Sequence, residues 1–170
     1  MSSCSSSYED FLKLPGRVFL DSSVLNNIYE YGHVLFEDQE LGREARIHKW
    51  REGPAEIAAL RNILVVGRRA DFQFAVSRNS LREVAKTGDS RFLDWARDML
   101  RYWEECLAWT GVADANRAEA VTAKLDTSGF AYLSAGDRAL LRDAMIVSCD
   151  AFLTGHPASA ATARLGASGS

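Results

Sequence analysis

The sequence predicts an α/β fold in which helices cover both faces of a central parallel sheet, a three-layer α/β/α sandwich. Two observations predict it. Short apolar stretches alternate with longer segments of helical periodicity along the chain. The first stretch, residues 17–20, delivers Asp21 to its carboxyl end and then turns into a helix. Composition agrees, because 170 residues that are 47% hydrophobic suffice for one domain with a sizeable core.

Three short apolar segments predict strands: 17–20, 71–76 and 151–154. In the second segment Phe72, Phe74 and Val76 alternate with other residues, as in a strand with one buried face. A fourth apolar segment, 130–133, fits either a strand or an extended connection. If the strands are parallel, their carboxyl ends lie at one edge of the sheet, where open α/β folds bind ligands.

Helical periodicity and recognisable helix ends predict the segments between the strands. Pro54 suits the first turn of one helix, and Asp89 can cap the longest one. The longest helix carries an aromatic stripe in which Trp95 and Trp103 fit the core better than a surface. The predicted helices are 22–31, a short one within 32–53, one from Pro54, then 77–86, 90–109, 114–125 and one from Ser134.

Composition also predicts the domain boundaries. Residues 1–14 form a Ser-rich tail and lead-in, residues 15–156 form the domain, and residues 157–170 form an Ala/Ser/Gly-rich tail. No apolar run approaches the roughly 20 residues that cross a bilayer, and the N-terminus lacks a secretory signal pattern. Three widely spaced cysteines match no zinc or disulfide pattern. We therefore expect a cytoplasmic protein without a membrane partner.

The formal net charge of −3 indicates that the domain as a whole does not hold nucleic acid by charge alone. Basic residues nevertheless cluster in two regions: Arg43, Arg46, His48, Lys49 and Arg51, and then Arg68, Arg69, Arg78, Arg82 and Lys86. Such clusters are most often solvated faces. They permit nucleic-acid binding without arguing for it.

Three acidic residues lie near helix starts; two of them are predicted at the carboxyl edge of the sheet, and Asp137 joins them if the segment before it also runs parallel. Asp21 leaves the first strand directly, Glu83 follows the second after a short link, and Asp137 begins the helix before the last strand. Three carboxylates at one edge repel each other unless a cation lies among them. They therefore predict a site for Mg²⁺ or Mn²⁺, ions that activate water and neutralise a phosphodiester.

Each of these acids also has a purely structural explanation. Asp21 can be an N-cap. Ser80 and Glu83 have the spacing of a capping box, and Ser134 and Asp137 fit a looser version of that motif. The sequence leaves both explanations open for every acid, because one side chain can cap a helix and bind a metal.

The remaining candidates for chemistry are weaker. Asp143 lies about 240° around the helix from Asp137, so the two should not share a face. Asp150 precedes the last strand and so lies at the wrong end of a parallel sheet. The three histidines show no ligand spacing, and no serine or cysteine has an evident histidine partner for nucleophilic catalysis.

In three segments the sequence resembles the PIN domain, the metal-dependent nuclease fold of many toxin–antitoxin ribonucleases. The matching segments are 18–25, 76–84 and 137–154, and by order and spacing the resemblance extends over roughly 15–156. The last segment is the most specific, since it combines an acid-led helix with an apolar strand that ends in Thr154.

The resemblance implies a Mg²⁺- or Mn²⁺-dependent endoribonuclease. It assigns metal binding and catalysis to three acids: Asp21, Glu83 and Asp137. Thr154 or Ser22 would supply a supporting hydroxyl. The family normally has a fourth acid two positions after the threonine, where this chain has His156. The resemblance therefore supports the fold more strongly than the activity.

The partners that the resemblance implies are an RNA substrate, an antitoxin protein if the chain is a toxin, and a second copy in a homodimer. Two alternatives to a nuclease stay open. A catalytically impaired PIN-like protein would act as an RNA- or protein-binding module. A phosphatase-like hydrolase ranks last, because the chain has no phosphate loop and no nucleophile motif.

Overall fold

Three short parallel strands form the sheet of this protein. The computed structural model describes residues 14–110, 115–125, 130 and 132–155, without the side chains of 103–110 and 115–118. The strands are β1 (Arg17–Leu20), β2 (Gln73–Ala75) and β3 (Ala151–Leu153). Their order is β2-β1-β3, and β1 runs parallel to both neighbours. The predicted α/β class is therefore confirmed.

Six α-helices and a short 3₁₀ helix accompany the sheet in the described part of the chain. They are α1 (Ser22–Phe36), the 3₁₀ helix (Arg46–Lys49), α2 (Gly53–Arg69), α3 (Arg78–Ala85), α4 (Ser90–Thr110), α5 (Ala115–Leu125) and α6 (Ala135–Ile146). Pro54 lies in the first turn of α2, and Asp89 caps α4 through the backbone N–H groups of Arg91 and Phe92, as predicted. None of these helices is long and apolar enough to cross a membrane.

Two segments differ from the predicted elements. Helix α1 continues past the predicted end at Tyr31, where the backbone leaves helical geometry (φ −114°, ψ 21°) and then resumes it. Buried Val34 and Leu35 continue the apolar face beyond this kink. The apolar segment 130–133, for which the sequence predicts a strand or an extended connection, forms neither in its described residues: the Leu133 N–H donates to the Phe130 carbonyl oxygen at 3.1 Å, as in a turn, and Ala131 lies outside the described residues.

Side chains of β1 pack into two different clusters because successive residues of a strand point to opposite faces. Val18 and Leu20 belong to a cluster with buried residues of α1, α2 and α4. Phe19, which is fully buried, packs with residues of α6 and lies 5.4 Å from the Phe152 ring, centroid to centroid. Helices therefore contact β1 from both sides and hold its carboxyl end in place.

A close contact fixes the start of α2 against the 3₁₀ helix. Ile47 is buried, and the Gly53 N–H donates to the Trp50 carbonyl oxygen at 3.1 Å. A Cβ at Gly53 would overlap the Ile47 carbonyl oxygen and lie 2.7 Å from its Cγ1. Glycine is therefore the residue that lets these two segments approach each other.

We expect Gly53→Ala to lower the free energy of unfolding by about 1–3 kcal/mol, because the added methyl displaces a buried backbone. The matched control is Gly42→Ala, where a Cβ meets nothing within 4 Å. Urea denaturation of the two variants measures the difference. Equal stabilities would contradict the close packing of Gly53 on Ile47.

Candidate functional site

The carboxyl ends of β1 and β3 lie side by side, at the point where the chain leaves the central strand β1 for strands on its two sides. From β1 the chain passes through α1 and α2 to β2 on one side, whereas β3 lies on the other side. Open α/β folds bind ligands at such switch points. Asp21 directly follows β1 here, and Thr154 directly follows β3.

Hydrogen bonds occupy both carboxylate oxygens of Asp21. Oδ1 accepts from the Ser22 N–H at 2.6 Å, so the predicted N-cap is confirmed. Oδ2 accepts from the Ser23 and Thr154 hydroxyls, each at 3.0 Å. The Asp21 N–H donates to the Leu153 carbonyl oxygen at 3.0 Å. Asp21 is thus fixed by α1 and by the end of β3 together.

A cleft of about 410 Å³ lies beside this junction. Ser22 and Ser23 line it from α1, Glu83 lines it from α3, and Gly155 lines it after β3. Ser23 connects these parts, since its hydroxyl donates to Asp21 and accepts from the Gly155 N–H at 3.0 Å. The cleft therefore brings Glu83 to the end of the sheet that Asp21 occupies.

The predicted capping box between Ser80 and Glu83 is wrong. Ser77 is the N-cap of α3, with extended backbone (φ −133°, ψ 171°), and it shares reciprocal hydrogen bonds with Ser80. Ser80 is consequently the third residue of the helix, and Glu83 lies in the second turn. Both Glu83 oxygens accept from Lys86 Nζ, at 2.6 and 2.7 Å. A role in capping α3 therefore does not explain the presence of a glutamate at position 83.

Asp137 lies in the first turn of α6, as predicted. Ser134 caps this helix by accepting from the Asp137 N–H at 3.1 Å, and its hydroxyl donates to Asp137 Oδ2 at 2.8 Å. A Cβ at the neighbouring Gly136 would lie 3.3 Å from Glu83 Oε1. The start of α6 therefore lies against the Glu83 carboxylate, although the Asp137 side chain itself is exposed.

Asp21, Glu83 and Asp137 offer the kind of oxygen atoms that bind a divalent cation, but their positions do not form a metal site. Carboxylate and hydroxyl oxygens are the ligands that Mg²⁺ and Mn²⁺ prefer. Among the described side chains, however, no three Asp, Glu, His or Cys residues form a group that could hold a metal ion. Asp21, Glu83 and Asp137 are each bonded to a local partner instead. The role of these three acids as metal ligands stays a prediction. His156, which stands where the PIN family has a fourth acid, lies outside the described residues.

Glu56 is an acidic residue of the cleft that the sequence did not reveal. It lies in the first turn of α2, and its Oε1 accepts from Asn27 Nδ2 at 3.0 Å. A Cβ at Gly155 would overlap this same oxygen, so the chain after β3 passes directly over it. The 3₁₀ helix, and not a strand, directly precedes α2, and the contact with Asn27 spans 29 positions, so local sequence patterns carry no signal for Glu56.

The other chemical groups near the sheet have structural roles. Asp150 Oδ2 accepts from the Gly16 and Arg17 N–H groups, both at 2.9 Å, at the opposite end of β1 from Asp21. Asp143 accepts from Asn79 Nδ2 at 2.8 Å and joins α6 to α3. Cys149 is buried and packs with Phe19 and Leu140, and burial raises the pKa of its thiol to about 12, which disfavours the thiolate form.

Comparison with known proteins identified no relative of this chain. No protein-family model, no curated protein and no solved structure matches this chain. The likeness to the PIN domain therefore depends on the three sequence segments alone.

We expect Thr154→Val to lower the free energy of unfolding by about 1 kcal/mol, because Asp21 Oδ2 loses a hydrogen bond between β3 and α1. Thr154→Ser keeps the hydroxyl and is the matched variant. Chemical denaturation of the two variants tests this. If the valine variant were as stable as the serine variant, the hydroxyl would not join these two elements.

Proposed function

We propose that this chain is a PIN-like α/β/α domain that acts as a metal-dependent endoribonuclease on RNA phosphodiester bonds. The observation that carries the proposal is the position of Asp21 at the switch point, held by Thr154, beside a cleft that Glu83 lines. The helices that contact β1 from both sides support the three-layer arrangement. The order of the acids along the chain supports the family resemblance.

In this proposal Asp21, Glu83 and Asp137 hold Mg²⁺ or Mn²⁺. The ion, when bound, would activate water and neutralise charge on the phosphate. The chain itself orients the site. The hydroxyls of Ser23 and Thr154 fix Asp21 Oδ2, so the position of that carboxylate does not depend on an ion.

Glu83 would bind a metal only by exchanging its present partner. Lys86 is 68% exposed, and an ion pair this close to solvent contributes little free energy. The lysine can therefore leave the carboxylate at small cost. Glu56 contributes a further carboxylate to the cleft and increases its attraction for a cation.

A second candidate function is a catalytically impaired module that binds RNA or a protein partner. The observation that favours it is the Lys86 ammonium group on Glu83, a protein cation at a carboxylate that the nuclease needs for a metal. In that case Asp21 and Asp137 stabilise helix starts, Glu83 stays paired with Lys86, and the cleft binds its partner without cleaving it.

We expect Asp21→Asn to lower Mn²⁺-dependent cleavage of single-stranded RNA by roughly 100-fold or more, because metal catalysis contributes several kcal/mol to transition-state stabilisation. Cleavage rates are compared with those of Asp94→Asn, which changes an exposed acid paired with Arg97 on α4. The control should match wild type. Mn²⁺ titration followed by electron paramagnetic resonance should show weaker binding to the Asp21 variant alone.

Equal cleavage by wild type and Asp21→Asn would assign any activity to another site or to a contaminant. Absence of cleavage by wild type on every RNA offered would contradict the nuclease and favour the binding module.

The ion pair on Glu83 gives a separate prediction. Lys86→Gln removes the competing ammonium group, so we expect Mn²⁺ to bind roughly two- to fivefold more tightly. Arg97→Gln is the matched control, because it breaks another exposed pair of the same (i, i+3) spacing, far along α4. Unchanged or weaker Mn²⁺ binding by the Lys86 variant would contradict a metal-binding role for Glu83.

A further inference from the structure

An exposed tryptophan forms part of the cleft wall. Trp50 follows the 3₁₀ helix and lines the same cleft as Ser22 and Glu83. Nearly half of the residue is exposed to solvent, at 46%. An exposed indole ring in the wall of a cleft offers a flat apolar surface on which another planar group can stack.

The backbone that carries Trp50 is anchored on both sides. Ile47 is buried, and its N–H donates to the Tyr31 hydroxyl oxygen at 3.1 Å. Burial and then the neighbouring Glu30 raise the pKa of Tyr31 to about 12, so this hydroxyl stays protonated. The Trp50 N–H donates to the Ile47 carbonyl oxygen at 3.1 Å. A ring presented by a fixed backbone needs less ordering when a ligand binds.

The residues around Trp50 are strongly basic. Arg46, Lys49 and Arg51 are all exposed, and so is His48. Arg51 lies 3.5 Å from Glu52, but both side chains are largely exposed, so this pair cancels little of the charge in solution. A chain with a net charge of −3 thus carries a run of exposed basic residues directly beside a tryptophan that lines its cleft.

We propose that residues 46–51, the Trp50 arm, bind single-stranded RNA at the cleft. Trp50 stacks on a base, and Arg46, Lys49 and Arg51 contact the phosphates next to it. The arm then leads the strand towards Glu83. This inference rests on the proposed function for its choice of RNA, but binding at the arm requires neither a metal ion nor cleavage.

The positive charge of the Trp50 arm and its exposed ring together favour single-stranded RNA over other ligands. A duplex has the phosphates but keeps its base faces stacked, whereas a single strand offers both phosphates and unstacked bases. An acidic polypeptide would match the charge of the arm but has no planar base for Trp50.

The test is fluorescence anisotropy with a short labelled oligouridylate in buffer that contains EDTA, so that metal-dependent cleavage does not occur. Stacking on one base predicts that Trp50→Ala weakens binding roughly 5- to 100-fold. Trp50→Phe keeps a ring and should retain most of the affinity. Tyr132→Ala removes another exposed aromatic residue, one outside the cleft lining, and should leave the affinity unchanged. Circular dichroism checks that each variant is folded.

The phosphate contacts are tested separately by salt dependence. For a single strand, each phosphate contact contributes about 0.7 to the slope of log affinity against log salt concentration. Lys49→Gln should lower the magnitude of the slope by about that amount. Arg68→Gln, at the exposed end of α2, should leave it unchanged.

Three results would overturn the inference: wild-type RNA affinity in Trp50→Ala, equal affinity for duplex and single-stranded RNA, or displacement of the RNA by polyglutamate at equal charge. A wild-type protein that bound no oligouridylate would also overturn it. None of these results decides whether the acids bind Mn²⁺, which the Asp21 variant measures independently.

Discussion

Parallel pairing on both sides of β1 determines where Asp21 and Thr154 lie. The pairing with β3 continues one residue beyond the strand, because the Asp21 N–H donates to the Leu153 carbonyl oxygen. At the other end Asp150 accepts from two N–H groups that precede and begin β1. Carboxylates therefore hold both ends of the β1–β3 pair, and the register between the strands brings Thr154 to Asp21.

The helix caps also explain why the fold does not require a cation. Hydroxyls and backbone N–H groups satisfy Asp21, a hydroxyl satisfies Asp137, and Lys86 neutralises Glu83. Repulsion between the acids is thereby reduced without a metal. Asn is as good an N-cap as Asp, so Asp21→Asn removes the charge while its amide oxygen can still accept from the Ser22 N–H at the start of α1. Its amide nitrogen cannot accept from the Ser23 and Thr154 hydroxyls as Asp21 Oδ2 does, so lost cleavage in that variant reports on chemistry only when circular dichroism shows the variant to be folded.

Local patterns predicted much of the fold, and their failures have a common cause. The caps at Asp21, Asp89 and Ser134 involve neighbours within three positions, and all three were predictable. The cap of α3 was misassigned to Ser80, since two serines at capping distance satisfy the same short pattern. Glu56 and Trp50 could not be recognised as cleft residues, because α1, α2 and the chain after β3 come together only through tertiary packing.

Acidic residues line the cleft and basic residues flank Trp50 in the chain, and this relates the proposed metal site to the Trp50 arm. Glu56 and Glu83 make the inner wall acidic, whereas Arg46 and Lys49 lie on basic, exposed positions beside Trp50. A phosphodiester would be attracted to the basic residues of the arm but repelled by the carboxylates unless a cation lies between them. Under the two proposals, the arm would therefore bind a strand without an ion, whereas entry to the acidic wall would depend on the ion. Under the same proposals, a protein without its metal would keep the first property and lose the second, so the proposed nuclease and the alternative binding module would share one charge arrangement.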